Sequence, residues 1–142
     1  KRLLLLWHPS GSEKHTFGGA ELFSSDGFGQ NRSSERASAM GGYEVALSKT
    51  ASLRFLATAY ASHYSQAGVM REDDILSGRK GFYDTYDTTQ GGDSSRFSFG
   101  ATYTGKWKNT KLMQSVFAIH RGFELRQNLQ TTIVVKTHYF SQ

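Results

Sequence analysis

Two runs decide the fold: Arg36-Ala-Ser-Ala-Met-Gly-Gly-Tyr-Glu-Val-Ala-Leu47 and Ala51-Ser-Leu-Arg-Phe-Leu-Ala-Thr-Ala-Tyr-Ala-Ser-His63, divided only by Ser48-Lys49-Thr50. In the first, the odd positions carry Ala37, Ala39, Gly41, Tyr43, Val45 and Leu47, and the even ones Arg36, Ser38, Met40, Gly42, Glu44 and Ala46. Side chains of a strand alternate between two faces, so one face is apolar and the other largely polar. The second run repeats the pattern, with Leu56 the one break in its polar face. Each run exceeds the usual strand of about 5–6 residues and matches the roughly 9–11 that a tilted strand needs to cross a bilayer.

Composition narrows the class. The chain has 142 residues, 37% of them hydrophobic, with 15 Gly and one Pro, enough for one domain rich in turns. No stretch approaches the roughly 20 apolar residues of a spanning helix, whereas a strand with one face to lipid and one to water is only half apolar. Without cysteine there is no disulfide framework or thiolate zinc site. The net charge of +5 raises the question of nucleic acid, but Lys and Arg are scattered with no run longer than Arg79-Lys80, so a solvated surface is expected and nucleic acid is not. Leu3-Leu-Leu-Leu6-Trp7 is too short for the apolar core of a signal peptide.

Working outward, strands are expected over about 15–23, 35–48, 51–64, 95–107 and 110–121, with further candidates at 2–7 and 131–140. Residues 65–94 form a long loop without helical or strand period. From Phe17 on, the connections alternate long, short, long, short: 24–34, 48–50, 64–94, 108–110. Alternate connections of an up-and-down sheet share a rim, so tight turns collect at one rim and long loops at the other. Phe97, Trp107 and Tyr64 near strand ends suit an interfacial aromatic girdle. The expected fold is all-β: an antiparallel up-and-down meander of long strands, a fragment of a transmembrane β-barrel.

Ser25-Asp-Gly-Phe-Gly-Gln-Asn-Arg32 with Glu35-Arg36-Ala37-Ser38-Ala39 resembles part of the barrel of TonB-dependent outer-membrane receptors. So do Gly68-Val-Met-Arg-Glu-Asp-Asp74, Gly78-Arg-Lys-Gly-Phe-Tyr-Asp-Thr-Tyr-Asp87 with Gln90-Gly91-Gly92, and Arg121-Gly-Phe-Glu-Leu-Arg-Gln-Asn128. The resemblance covers about residues 17–128. It implies a segment of the bacterial outer membrane, surrounded by lipid, from a receptor that takes up ligands such as a ferric siderophore or cobalamin and is driven by TonB. The family's barrel has 22 strands and an N-terminal plug that contacts TonB. Neither the plug nor that strand number is visible, so a truncated or frame-disrupted relative, not functional alone, is expected. The alternatives are a complete eight-stranded outer-membrane barrel and a soluble carbohydrate-binding β-sandwich.

The best candidate site is the acidic loop, where Arg71, Glu72, Asp73, Asp74, Tyr83, Asp84, Tyr86 and Asp87 are available to a ligand at the outer mouth. Asp84-Thr-Tyr-Asp87 lacks the ligand spacing of an EF-hand, and Gly27-Phe-Gly29 lacks the strand and helix of a dinucleotide loop. The five histidines have no close ligand spacing, and Glu21, Glu35 and Glu44 read as lumen or rim residues. No catalytic residue, metal or cofactor is expected. Arg36, Arg54 and Arg96 fall on polar faces, where they either bias the passage of anions or balance carboxylates such as Glu44.

Overall fold

The computed structural model describes residues 1–10, 16–127 and 135–140. They form β1 (Arg2–Trp7), β2 (Phe17–Ser25), β3 (Ser34–Ser48), β4 (Ala51–Ser65), α1 (Glu72–Leu76), β5 (Gly91–Trp107), β6 (Thr110–Arg126) and β7 (Val135–Phe140). All seven strands belong to one sheet in sequence order, each antiparallel to the next. The chain is therefore an all-β up-and-down meander, and its described part is one layer rather than the two of a sandwich.

Strand length follows from the hairpins. Lys49-Thr50 and Lys108-Asn109 are two-residue connections, and such turns fix every pair behind them. Lys108 supplies the positive φ of 50° that the second turn needs. The pairing then runs for 15 residues in β3 and β4 and 17 in β5 and β6. One irregularity between Ala46 and Ser48 bulges Leu47 out of register.

Two boundaries move from the expected ones. β5 begins at Gly91 rather than near residue 95, and β6 runs on to Arg126 rather than ending near 121. Gly91 and Gly92 have little strand propensity of their own. They are held by Ser65 and Tyr64 of β4, and the Tyr64 ring lies over Gly92, where an added Cβ would come within 2.8 Å of ring carbon Cζ. Of the expected strand 131–140 the structure describes 135–140; residues 131–134, like His15 and most of loop 9–14, lie outside the described residues.

The register carries the two-faced pattern across the sheet. One row pairs Ala20, Ala39, Ala59, Phe97 and His120; the next pairs Gly18, Gly41, Ala57, Phe99 and Ala118. A third pairs Tyr43 with Phe55 and Ala101. On this dry face Tyr43 is 51% and Phe99 40% exposed, and Phe55 and Phe99 stack with ring centroids 6.0 Å apart. The opposite face carries Glu21, Ser38, Thr58, Ser98 and their neighbours, with hydroxyl pairs Thr58–Ser98 at 2.5 Å, Ser62–Ser94 at 2.9 Å and Thr102–Ser115 at 2.9 Å. β1 and β6 depart from this order, because Leu4, Leu6, Met113 and Phe117 put apolar groups on the wet face as well.

The sheet curls around its wet face. A trough of about 930 Å³ is lined from β1 to β6 by side chains such as Leu4, Glu21, Met40, Tyr60, Arg96 and Phe123. These side chains share one parity of the register, so the polar face is concave. No hydrophobic core accompanies it: among the described residues Ala67, 9% exposed, is the one buried hydrophobic side chain.

The expected girdle is placed differently. Phe97 sits opposite Ala59 in mid-strand, because β5 starts earlier than its sequence suggests, and Tyr64 lies on the wet face over Gly92. Aromatic residues of the dry face collect instead toward the tight-turn rim, at Trp7, Tyr43, Tyr103 and Trp107. At the other rim the dry face ends in an ionisable row, Glu35, His63, Asp93 and Glu124, paired strand to strand.

Candidate functional site

Among the described residues the connections at one rim are 26–33 and 66–90; at the other they are 49–50 and 108–109. Loops 26–33 and 66–90 lock into one cap. Asn31, in a left-handed conformation at φ 54°, donates from Nδ2 to the carbonyls of Gln66 at 2.7 Å and Gln90 at 2.8 Å. The Gln30 amide donates to the Tyr83 carbonyl at 2.8 Å, and Arg32 reaches the Phe28 carbonyl at 2.9 Å and stacks 5.9 Å over the Tyr83 ring. Beneath them the buried Thr85 hydroxyl donates to the Ala67 carbonyl at 2.5 Å. The stretch 65–94 is thus neither structureless nor wholly a loop, since it contains α1 and the first residues of β5.

Within this cap the eight sequence-predicted residues are close in sequence but turned to different tasks. Asp74 accepts hydrogen bonds from the Tyr86 hydroxyl and from Arg79 Nε at 2.7 Å. These two donors hold the Asp74 carboxyl below its ordinary range, the Tyr86 bond first, and the same bond raises the Tyr86 phenol above its own. Arg71 pairs with Asp73 at 3.0 Å, Asp84 accepts from the Gly81 amide at 2.7 Å, and Asp87 accepts from the Thr89 amide at 2.8 Å and its hydroxyl at 2.6 Å. Lys80 bonds the Thr85 carbonyl at 3.1 Å and sits 5.6 Å from the Tyr86 ring centre.

These carboxylates are therefore occupied in building the loop. Glu72 is exposed at the start of α1, and Tyr83 is 58% exposed with its edge against Phe82. Among the described residues no three His, Asp or Glu side chains are grouped as a metal site would require. The chemistry on offer at the cap is contact: exposed aromatic side chains at Phe28, Phe82 and Tyr83 on a hydrogen-bonded platform.

The wet face holds the second polar constellation. Arg36 bonds Glu21 at 2.7 Å, Arg2 reaches the same carboxylate at 3.2 Å, and Arg54 bonds Glu44 at 3.1 Å. Arg36 and Arg54 are thereby charge-balanced. Arg96 faces Arg121 across β5 and β6 instead. Arg121 and Asn31 are the two residues that sequence reasoning passed over. For Arg121 a signal existed, since the two-residue turn after Trp107 sets its partner; for Asn31, whose partners lie on a distant loop, there was none.

The geometry defines a single curved layer of antiparallel strands, dry outside and wet inside, with a structured loop cap at one rim. Comparison with family models, with curated proteins and with solved structures finds no match to this chain.

Proposed function

We propose that this chain is part of the wall of a bacterial outer-membrane transport barrel of the TonB-dependent receptor kind, with no enzymatic activity of its own. The observation that carries this reading is the sheet's two-sidedness without a core. A soluble domain hides its apolar rows against a second layer, whereas here Phe55, Phe97 and Phe99, which take no part in the trough, lie on the opposite, convex side of one layer. Lipid is the solvent that such a surface suits, and water suits the concave side.

Dimensions agree with that solvent. From Ala37 to Leu47 the dry face runs roughly 33 Å at about 3.3 Å per residue. A tilt of about 40° shortens this to roughly 25 Å, the height of the apolar band of such barrels. The band is bounded by Tyr103 and Trp107 toward the turns and by Glu35, His63, Asp93 and Glu124 toward the loops. In this reading the long-loop rim faces outward and the cap around Asn31 offers its aromatic residues to the ligand, a ferric chelate or cobalamin in the intact receptor. Energy from TonB would arrive through a plug supplied outside the strands described.

Nitroxide labels test it directly. With single cysteines at Ala39, Ala59 and Ala101 in protein refolded into bilayers, oxygen in the lipid should broaden the spectra. Labels at Met40, Thr58 and Thr102 should respond to a water-soluble nickel chelate instead. Equal response at the two sets would sink the membrane reading.

A further inference from the structure

On the described strands the wet face carries two carboxylates, Glu21 and Glu44, and both are taken. Arg96 and Arg121, directly opposed on β5 and β6, have no acidic partner among the described residues. Like charges in this register repel one another. The neighbouring hydroxyls do not relieve them, because Ser62 is bonded to Ser94 on one side and Thr58 to Ser98 on the other. On β6 the residues flanking Arg121 on the same face are Ile119 and Phe123. Tyr60 lies opposite Arg96 on β4, and Glu21 is three strands away in the same row.

Arg96 and Arg121 both line the concave trough, whose volume of about 930 Å³ is the size of a small-molecule site. We propose that Arg96 and Arg121 form a seat for a phosphate-bearing small molecule on the wet face. Two planar forks carried by directly opposed residues suit one multivalent oxyanion, which accepts from both and removes their mutual repulsion. Tyr60 stands beside them as a further hydroxyl for the ligand. The seat depends on the register of β4, β5 and β6 and not on what covers the opposite face, so it stands apart from the membrane reading.

The test follows the Arg Nε–Hε resonances of ¹⁵N-labelled protein in a neutral detergent while inorganic phosphate is added at constant ionic strength. Arg96 and Arg121 should move together and saturate with one Kd, and Arg54, held by Glu44, should stay still. Arg96→Gln and Arg121→Gln should each weaken phosphate by about tenfold or more, the value of a charge-assisted bond, and Arg54→Gln should leave it unchanged. Removing one of two opposed like charges relieves repulsion, so these variants should fold; the wild-type titration decides the matter even if one does not. Absence of saturable movement, equal movement with chloride, or equal loss in Arg54→Gln would overturn the seat.

Discussion

The side-chain amide of Asn31 lies 2.8 Å from the Gln90 carbonyl, joining two loops that are 59 residues apart in sequence. The same nitrogen reaches Gln66 at 2.7 Å, so one short side chain holds both ends of the 66–90 connection where it leaves β4 and returns to β5. Removing it leaves two carbonyls to find water.

Asn31→Gly tests the clamp, because glycine keeps the positive φ without strain and deletes only the amide. The loss of two hydrogen bonds, each worth roughly 0.5–1.5 kcal/mol, should open the cap locally and leave the strands intact. Limited trypsin digestion should then cut faster at Arg71, Arg79 and Lys80, with the circular dichroism of the sheet unchanged. Unaltered cleavage at these sites would show that the loop holds itself.

The same cap has a titration signature. Asp74 has its pKa lowered by Tyr86 and then by Arg79, so its bonds stabilise the loop above the carboxylate's ordinary pKa of about 4 and are lost as pH falls through the lower folded value. Tyr86 has its pKa raised by Asp74; its contribution is complete below about 10, the ordinary phenol value, and is lost as pH rises through the higher folded one. The cap should therefore be most protected between these limits. Asp74→Asn removes the anion, and the Tyr86 ring-carbon resonance should then titrate at lower pH than in the wild type. A titration curve identical to the wild type would remove Asp74 as the cause.

The strands were legible in the sequence because alternation and two tight turns fix both face and register. Ala37, Ala59 and Phe99 fall on the face their parity assigns them, and the turn at Lys108-Asn109 aligns even β6, whose Leu112, Met113, Val116 and Phe117 are apolar on both sides. What the sequence hid was long-range. Gly91 and Gly92 read as loop because nothing local makes them a strand; their pairing is imposed by Ser65 and Tyr64. The acidic cluster was visible as charge, but whether Asp74 or Asp84 is open to a ligand depends on Arg79, Tyr86 and the Gly81 amide being folded against it. Spacing alone does not record that.

Side-by-side residues of β3 test the lipid-facing assignment energetically. Ala39 is on the dry face opposite Ala59, and Met40 is on the wet face opposite Thr58. Ala39→Arg, one row inside the loop-side edge of the dry band, should cost about 1–3 kcal/mol in a bilayer, between the roughly 2–4 of a cation at the midplane of a barrel's lipid face and the roughly 0–1 at its interface. Met40→Arg, placed toward water, should cost much less, within about 1 kcal/mol. Urea titration of the protein folded into vesicles reads both, and comparable losses at the two positions would contradict the assignment of faces.

Glycines in β5 should divide sharply by what stands over them. A Cβ at Gly92 would lie 2.5 Å from the Glu124 carbonyl oxygen and within 2.8 Å of Tyr64 Cζ, so both a backbone and a ring would have to give way. Gly100 faces the same side with its nearest neighbour, the Val116 carbonyl oxygen, 3.8 Å away. Gly92→Ala should therefore lose about 1–3 kcal/mol, the usual cost of overpacking. It should also displace the Tyr64 ring, visible as a change in its chemical shift and in amide exchange of Tyr64 and Ser65. Gly100→Ala should be neutral or stabilising by about 0.5–1 kcal/mol, since alanine restricts the unfolded chain and meets nothing in the folded one. Equal effects at the two positions would mean that the close fit of Tyr64 over Gly92 does not hold the start of β5 in the sheet.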